Sequence, residues 1–100
     1  MRVVWSPLAI TRAAQAAGYI AQDRPGAAER WVKNLFDTVR SLSRFPERGR
    51  QVPEVGRSDI REILYGEYRV IYRVEARRIA ILTVRHGRRQ FDVNELAPAD

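Results

Sequence analysis

The chain predicts an α+β fold: an N-terminal strand, a helical hairpin, then a three-stranded antiparallel meander packed on the helices. Three patterns carry that prediction. Apolar residues recur at helical spacing through two successive segments of the first half of the chain. Residues 68–75 alternate between two sets of side chains, as a half-buried strand does. Residues 79–84, Ile-Ala-Ile-Leu-Thr-Val, form a continuous run that reads as a buried strand.

Taken in order, Arg2, Val3, Val4 and Trp5 make a short strand that stops at Ser6-Pro7, a capping residue followed by proline at the first helical position. A helix starts there. Ile10, Ala13, Ala14, Ala17 and Ala21 fall on one side of it, and a face built largely of alanine lets another helix approach closely. Gly18 weakens this helix but eases that approach. Asp23-Arg24-Pro25-Gly26 reads as a turn with its own capping residue. The second helix, expected from about residue 27 to residue 44, sets Ala28, Trp31, Val32, Leu35, Val39 and Leu42 in one stripe and turns Glu29, Lys33 and Asp37 to solvent.

Phe45-Pro46 ends that helix. Residues 47–58, with Gly49, Pro53, Gly56 and three arginines, read as a long loop, which in so small a domain is either functional or mobile. Strand character returns over residues 59–64, and Tyr65-Gly66-Glu67-Tyr68 is a tight hairpin turn in which glycine supplies positive φ. The next strand directs Tyr68, Val70, Tyr72 and Val74 toward the helices. By elimination Arg69 and Arg73, with Ile71 and Glu75, are expected on an open face of the sheet. The tail from about residue 90 has no period and is expected to be mobile.

One hundred residues make one domain, and 45% hydrophobic with 30% charged residues is the composition of a soluble globular protein. With no cysteine and a single histidine, the chain offers neither disulfides nor a recognisable metal site, and no cofactor is expected. No stretch has the length of a membrane span or of a signal peptide, so the cytoplasm is the expected location and no membrane partner is expected. The net charge is +6, from 18 basic residues against 12 acidic, and every basic residue except Lys33 is arginine. Arginine clamps phosphate or carboxylate with a planar fork and does not give up its proton. The strand at residues 79–84 delivers Arg85-His86-Gly87-Arg88-Arg89 on a rigid base, a surface suited to phosphate, nucleic acid or an acidic partner. With Arg69 and Arg73, the residues Arg85, His86, Arg88 and Arg89 form the expected target- or phosphate-binding set.

Five segments, in this order, resemble the RelE/ParE superfamily of toxins from type II toxin–antitoxin pairs: Val3-Val4-Trp5-Ser6-Pro7; residues 19–25, Tyr-Ile-Ala-Gln-Asp-Arg-Pro; residues 45–50, Phe-Pro-Glu-Arg-Gly-Arg; residues 68–74, Tyr-Arg-Val-Ile-Tyr-Arg-Val; and residues 81–89, Ile-Leu-Thr-Val-Arg-His-Gly-Arg-Arg. Together they span nearly the whole chain. The resemblance implies a single toxin domain over residues 1–100 and a cognate antitoxin whose disordered acidic segment folds on the toxin. A small basic domain with apolar patches between helices and sheet suits such a helix-in-groove or added-strand partner, with Trp31 and Tyr72 as the expected lining of the groove. The resemblance also implies one of two activities. The ParE-like branch poisons DNA gyrase without catalysis, and the RelE-like branch cleaves messenger RNA on the ribosome.

Cleavage through the 2′-hydroxyl needs a base, an acid, and cations for the pentavalent phosphate. On this chain those would be His86 with Arg69, Arg73, Arg85 and Arg61, and Glu62 or Glu67 as carboxylate partners of the imidazole. The nuclease branch commonly carries a functional tyrosine or histidine near its C-terminus, where this chain has Phe91, without a hydroxyl. That departure, and a long helical hairpin closer to the ParE-like branch, favour a gyrase poison with no catalytic residue over the ribonuclease. A third reading, a basic module without toxicity, would show only salt-sensitive, sequence-blind association with nucleic acid.

Overall fold

A computed structural model describes residues 1–87 and 93–96. Strand β1 (Arg2–Trp5) leads into helix α1 (Pro7–Asp23), and α2 (Pro25–Arg40) continues into a 3₁₀ turn at Ser41–Ser43. Four strands follow, β2 (Arg50–Gln51), β3 (Ile60–Tyr65), β4 (Tyr68–Val74) and β5 (Arg78–His86), then a 3₁₀ turn at Val93–Leu96. The expected meander is β3–β4–β5. Two further strands extend it to a five-stranded sheet in the order β1-β5-β4-β3-β2, with β1 parallel to β5 and the other pairs antiparallel.

Ser6 caps α1 as its sequence predicts: its Oγ accepts from Ala9 N at 3.0 Å and donates to Leu82 O at 2.9 Å. That anchor sets the rotation of the helix. Ala9, Ala13 and Ala16 face inward, whereas Ile10 is 54% exposed, so the buried stripe is rotated from the expected one by about one residue. The inter-helix connection is shorter than its sequence suggests. Asp23 is still helical, Arg24 alone links the helices without a side-chain cap, and Pro25 is the first residue of α2. The stripe of α2 is as expected, with Ala28, Leu35, Val39 and Leu42 buried and Trp31 and Val32 partly so. Gly66, with φ of 58°, opens the β3–β4 hairpin, and Tyr65 pairs with Tyr68 across it.

A bulge interrupts β5. Ile71 pairs with Thr83 but Tyr72 pairs with Ile81, leaving Leu82 as the extra residue. The side-chain alternation therefore changes phase, so that Val84 joins Ile79 and Ile81 on the helix side of the sheet. That side holds the main core, built with Leu35, Val39, Leu42, Val70 and Tyr72. The opposite face is not open. Val52 and Val55 from the long loop and Leu96 from the last turn lie over Ile60, Ile71, Ala80 and Leu82 as a second apolar cluster. The loop is a cover for the sheet.

Candidate functional site

Arg69 and Arg73 lie on the face opposite the helices, as the alternation predicts, but the covering of that face changes what they can do. Arg69 is only 11% exposed. Its Nε donates to Glu62 Oε1 at 2.7 Å, and Nη1 and Nη2 both donate to the Glu54 carboxylate at 2.9 Å, a bidentate fork. Glu62, whose side chain is fully buried, also accepts from Arg50 Nε at 2.7 Å. Arg69 and Glu62 are thus enclosed, with Glu54 of the loop and the largely exposed Arg50 completing the charge balance. The hydrogen bond from Arg69 is the main cause that holds the Glu54 carboxyl below its ordinary range, and the same bond is the first cause raising the guanidinium of Arg69. Arg73 is turned toward the last 3₁₀ turn, where Nη2 donates to Leu96 O at 3.1 Å and Nε is buried without a partner. The expected open display of Arg69 and Arg73 is therefore corrected: the hydrophobic cover and the two carboxylates enclose them.

The strand ends converge elsewhere. Helix α1 presents Arg12, Gln15, Ala16 and Tyr19, at the i, i+3, i+4 and i+7 positions of one stripe, toward the ends of β4 and β5. Opposite them stand Tyr68, Val84, Arg85 and His86, enclosing a cleft of about 680 Å³. The bulge at Leu82 brings His86 to this side, where its ring meets Tyr68 edge-on at 5.3 Å and its Nε2 lies 3.5 Å from Glu67 Oε2. Arg12 Nη1 donates to Gln15 Oε1 at 3.3 Å along the rim. Gly87 N donates to Glu67 O at 2.7 Å and closes the end of the sheet. His86 thus faces α1, while Arg85, paired with Arg69 of β4, stands on the opposite face, and Arg88 and Arg89 lie outside the described residues.

Three further expected residues have structural work. Arg61 donates to Gly49 O at 2.8 Å and Ser58 O at 3.0 Å, pinning the covering loop. Tyr72 is 0% exposed, so it cannot line an open groove: its hydroxyl accepts from Gly49 N at 2.9 Å and donates to Pro46 O at 2.8 Å, while burial pushes its acidity to higher pH. Trp31 is half-buried between Tyr65 and Tyr68, with ring centroids at 5.5 and 5.3 Å, and its carbonyl accepts from Tyr65 Oη at 2.7 Å.

The family model for the ParE toxin of the type II toxin–antitoxin system parDE matches residues 3–91. The chain belongs to the ParE toxin family. This ParE-family toxin is 33% identical over 93 residues to "Putative toxin Y4kP" of Sinorhizobium fredii (strain NBRC 101917 / NGR234), a match covering 90% of this chain and 92% of that protein. Its fold is similar to a chain of the chromosomal ParDE TA system from P. aeruginosa, with a TM-score of 0.73 at 18% identity over 86% of this chain and 95% of that one. The five sequence segments therefore point to the right superfamily and the right branch.

Sequence reasoning on this ParE-family toxin missed Arg12, Gln15 and Tyr19. Their signal was present as the i, i+3, i+7 spacing on α1, but the cap at Ser6 had to be joined to β5 before that stripe could be aimed at the strand ends. Among the described residues no group of three or more metal-ligating side chains occurs, and no helix is long and apolar enough to cross a membrane.

Proposed function

We propose that this toxin poisons DNA gyrase without catalysis, acts in the cytoplasm, and is silenced by an acidic antitoxin. The toxin–antitoxin assignment comes from the family. The choice of a poison over a nuclease rests on one observation: the side chains a ribonuclease would need are divided between two faces and mostly engaged. His86 stands on the helix side beside Tyr68, while Arg69, Arg73 and Arg85 are on the opposite face, the first two held by Glu54, Glu62 and Leu96 O. Arg61 is occupied by backbone carbonyls. Arg69 and Arg73 are also four residues apart along β4, about 13 Å, too far to grip one phosphate together. An imidazole without a converging set of cations has no means to stabilise a pentavalent phosphate.

Under this reading His86 and Arg12 form the contact with gyrase or its DNA, and Arg69 and Arg73 hold the scaffold. The test uses two reactions side by side. Purified toxin added to gyrase and supercoiled plasmid is expected to inhibit supercoiling or accumulate cleaved DNA, and added to translating ribosomes to leave the message intact. Codon-linked cuts abolished by His86→Ala would reverse the assignment.

A further inference from the structure

We propose that residues 53–57 form a flap over the second face of the sheet, latched by the Glu54 carboxylate on Arg69 and able to lift while the rest of the fold stays intact. Both ends of the segment are fixed. On one side Val52 is fully buried, and its N–H donates to Ile60 O at 3.1 Å, continuing the β2–β3 pairing. On the other, Ser58 O accepts from Arg61 Nε at 3.0 Å and Asp59 O accepts from Val74 N at 2.8 Å. Between these anchors the segment meets the sheet through the bidentate Glu54 contact to Arg69 and through Val55, which is partly buried over the second apolar cluster. Other hydrogen bonds of the segment are local: Val55 N and Gly56 N both donate to Val52 O, and Arg57 pairs with Asp59.

Neither contact is costly to give up. The side chain of Glu54 is 39% exposed, and ion pairs with that much solvent hold weakly. Lifting it does not strand Arg69, whose Nε keeps its hydrogen bond to Glu62 Oε1 at 2.7 Å. Moving Val52 as well would break the strand pairing and open the cluster around Ile60 and Ile71, so the motion stops at that anchor. Gly56 supplies the freedom to move: its φ is 69°, and a Cβ built on it meets nothing within 4 Å. A segment with few buried apolar contacts between fixed ends is where a fold opens locally, below the free energy of global unfolding. With the flap down, the side chain of Arg69 is 11% exposed. With it up, the two Nη groups that held Glu54 reach solvent, on the same face as Arg85, the cross-strand partner of Arg69. Glu54 is thus an internal occupant of the Arg69 fork, and any acidic group approaching this face has to displace it. The device is independent of the gyrase reading.

The chain has no cysteine, so one introduced thiol reports one position. Val55→Cys places it on the flap and Val52→Cys at the anchor. Below the unfolding midpoint, labelling of the Val55→Cys thiol by iodoacetamide, a neutral reagent, should hardly depend on urea, whereas the Val52→Cys thiol should follow global unfolding with its full slope. Adding Glu54→Gln should speed labelling at the flap about two- to fivefold with the flat urea response kept. Arg57→Gln, which leaves the latch in place, should keep the rate within about twofold. Salt at about 0.5 M should speed labelling of the Val55→Cys protein toward the Glu54→Gln level and leave the Glu54→Gln variant unchanged, the response of a charge and not of packing. Circular dichroism melts check that each variant is folded, and if Val52→Cys does not fold, hydrogen exchange of the β4 amides in the wild type supplies the global reference. A flap thiol whose labelling climbs with urea as steeply as that reference would show that flap and fold open together and would overturn the proposal. Labelling at the rate of an unprotected thiol, no change with Glu54→Gln, or no response to salt would overturn the latch.

Discussion

Ser6 and Leu82 are 76 positions apart in the chain, yet the Ser6 hydroxyl donates to the Leu82 carbonyl at 2.9 Å. Leu82 is the bulged residue of β5, and Ser6 is the cap of α1. The same oxygen accepts from Ala9 N, so the start of the helix is registered directly to the point where β5 changes phase. This contact aims Arg12 and Tyr19 at Tyr68 and His86.

Ser6→Ala should therefore cost more than a surface cap. Loss of a cap is worth about 1 kcal/mol and a buried carbonyl left without a donor about 1–3 kcal/mol. We expect a loss of about 2–3 kcal/mol in urea unfolding, with the midpoint moved and the slope kept. Ser6→Thr, which keeps the hydroxyl, should recover most of it.

Among the described glycines, Gly49 is the one most closely approached by its neighbours. A Cβ there would collide with Glu62 O and stand 2.6 Å from Tyr72 Oη. Both neighbours are fixed, one by the sheet and the other by hydrogen bonds to Gly49 N and Pro46 O. Gly49→Ala should destabilise the fold by about 2–4 kcal/mol, and Tyr72→Phe, which strands two backbone groups, by about 1–3 kcal/mol. Because the two sites touch, the double variant should lose less than the two losses added, a coupling that a double-mutant cycle in denaturant would measure.

These contacts also explain what the sequence could and could not say. The helical stripe at Ala28, Leu35 and Val39 and the alternation through Tyr68, Val70 and Tyr72 are local periodicities, and local periodicity is readable. The parallel pairing of β1 with β5 joins residues 76 apart and leaves no local trace. The bulge at Leu82 was hidden for a different reason. An interior strand covered on both faces is apolar throughout, so residues 79–84 have no alternation whose break could be seen. The enclosure of Arg69 depended on Glu54, in a loop without period, and on Glu62 across a hairpin. Arginine on a strand's outer face says which way it points, not what covers it.

Glu62 is the buried member of the charge network, and Arg50 and Arg69 both depend on it. Removing one partner of a fully buried pair costs about 3–5 kcal/mol. Glu62→Ala is expected to cost less than that by chemical denaturation, because Arg69 keeps its fork to Glu54 and Arg50 is largely solvated. Arg50→Ala should cost far less, since that guanidinium is largely solvated.

Antitoxin binding gives a prediction on the whole toxin. A partner that binds only the folded state raises stability by about 2.7 kcal/mol when its free concentration is a hundred times Kd. For a domain of this size that corresponds to a rise in Tm of about 10 °C or more. Calorimetry of the toxin with and without its cognate antitoxin should show this shift. Trp31→Ala, at the half-buried edge of the aromatic row, should reduce it if that row lies under the antitoxin.

Glu54 supplies the pH dependence. Its carboxyl is held below the ordinary value of 4.5, first by the hydrogen bond from Arg69. A group whose folded-state pKa is depressed stabilises the fold at pH above its unfolded value, and that contribution disappears as pH falls through the folded value. Wild type should thus be more stable than Glu54→Gln near neutrality, and the gap should close at pH below 4.5 as the carboxyl takes up its proton. The carboxylate is partly solvated, so the gap will be modest. Urea midpoints of the two proteins across the acid range decide the matter: a gap that stays constant through the titration would mean that Glu54 acts by packing the loop over Arg69 and not by its charge.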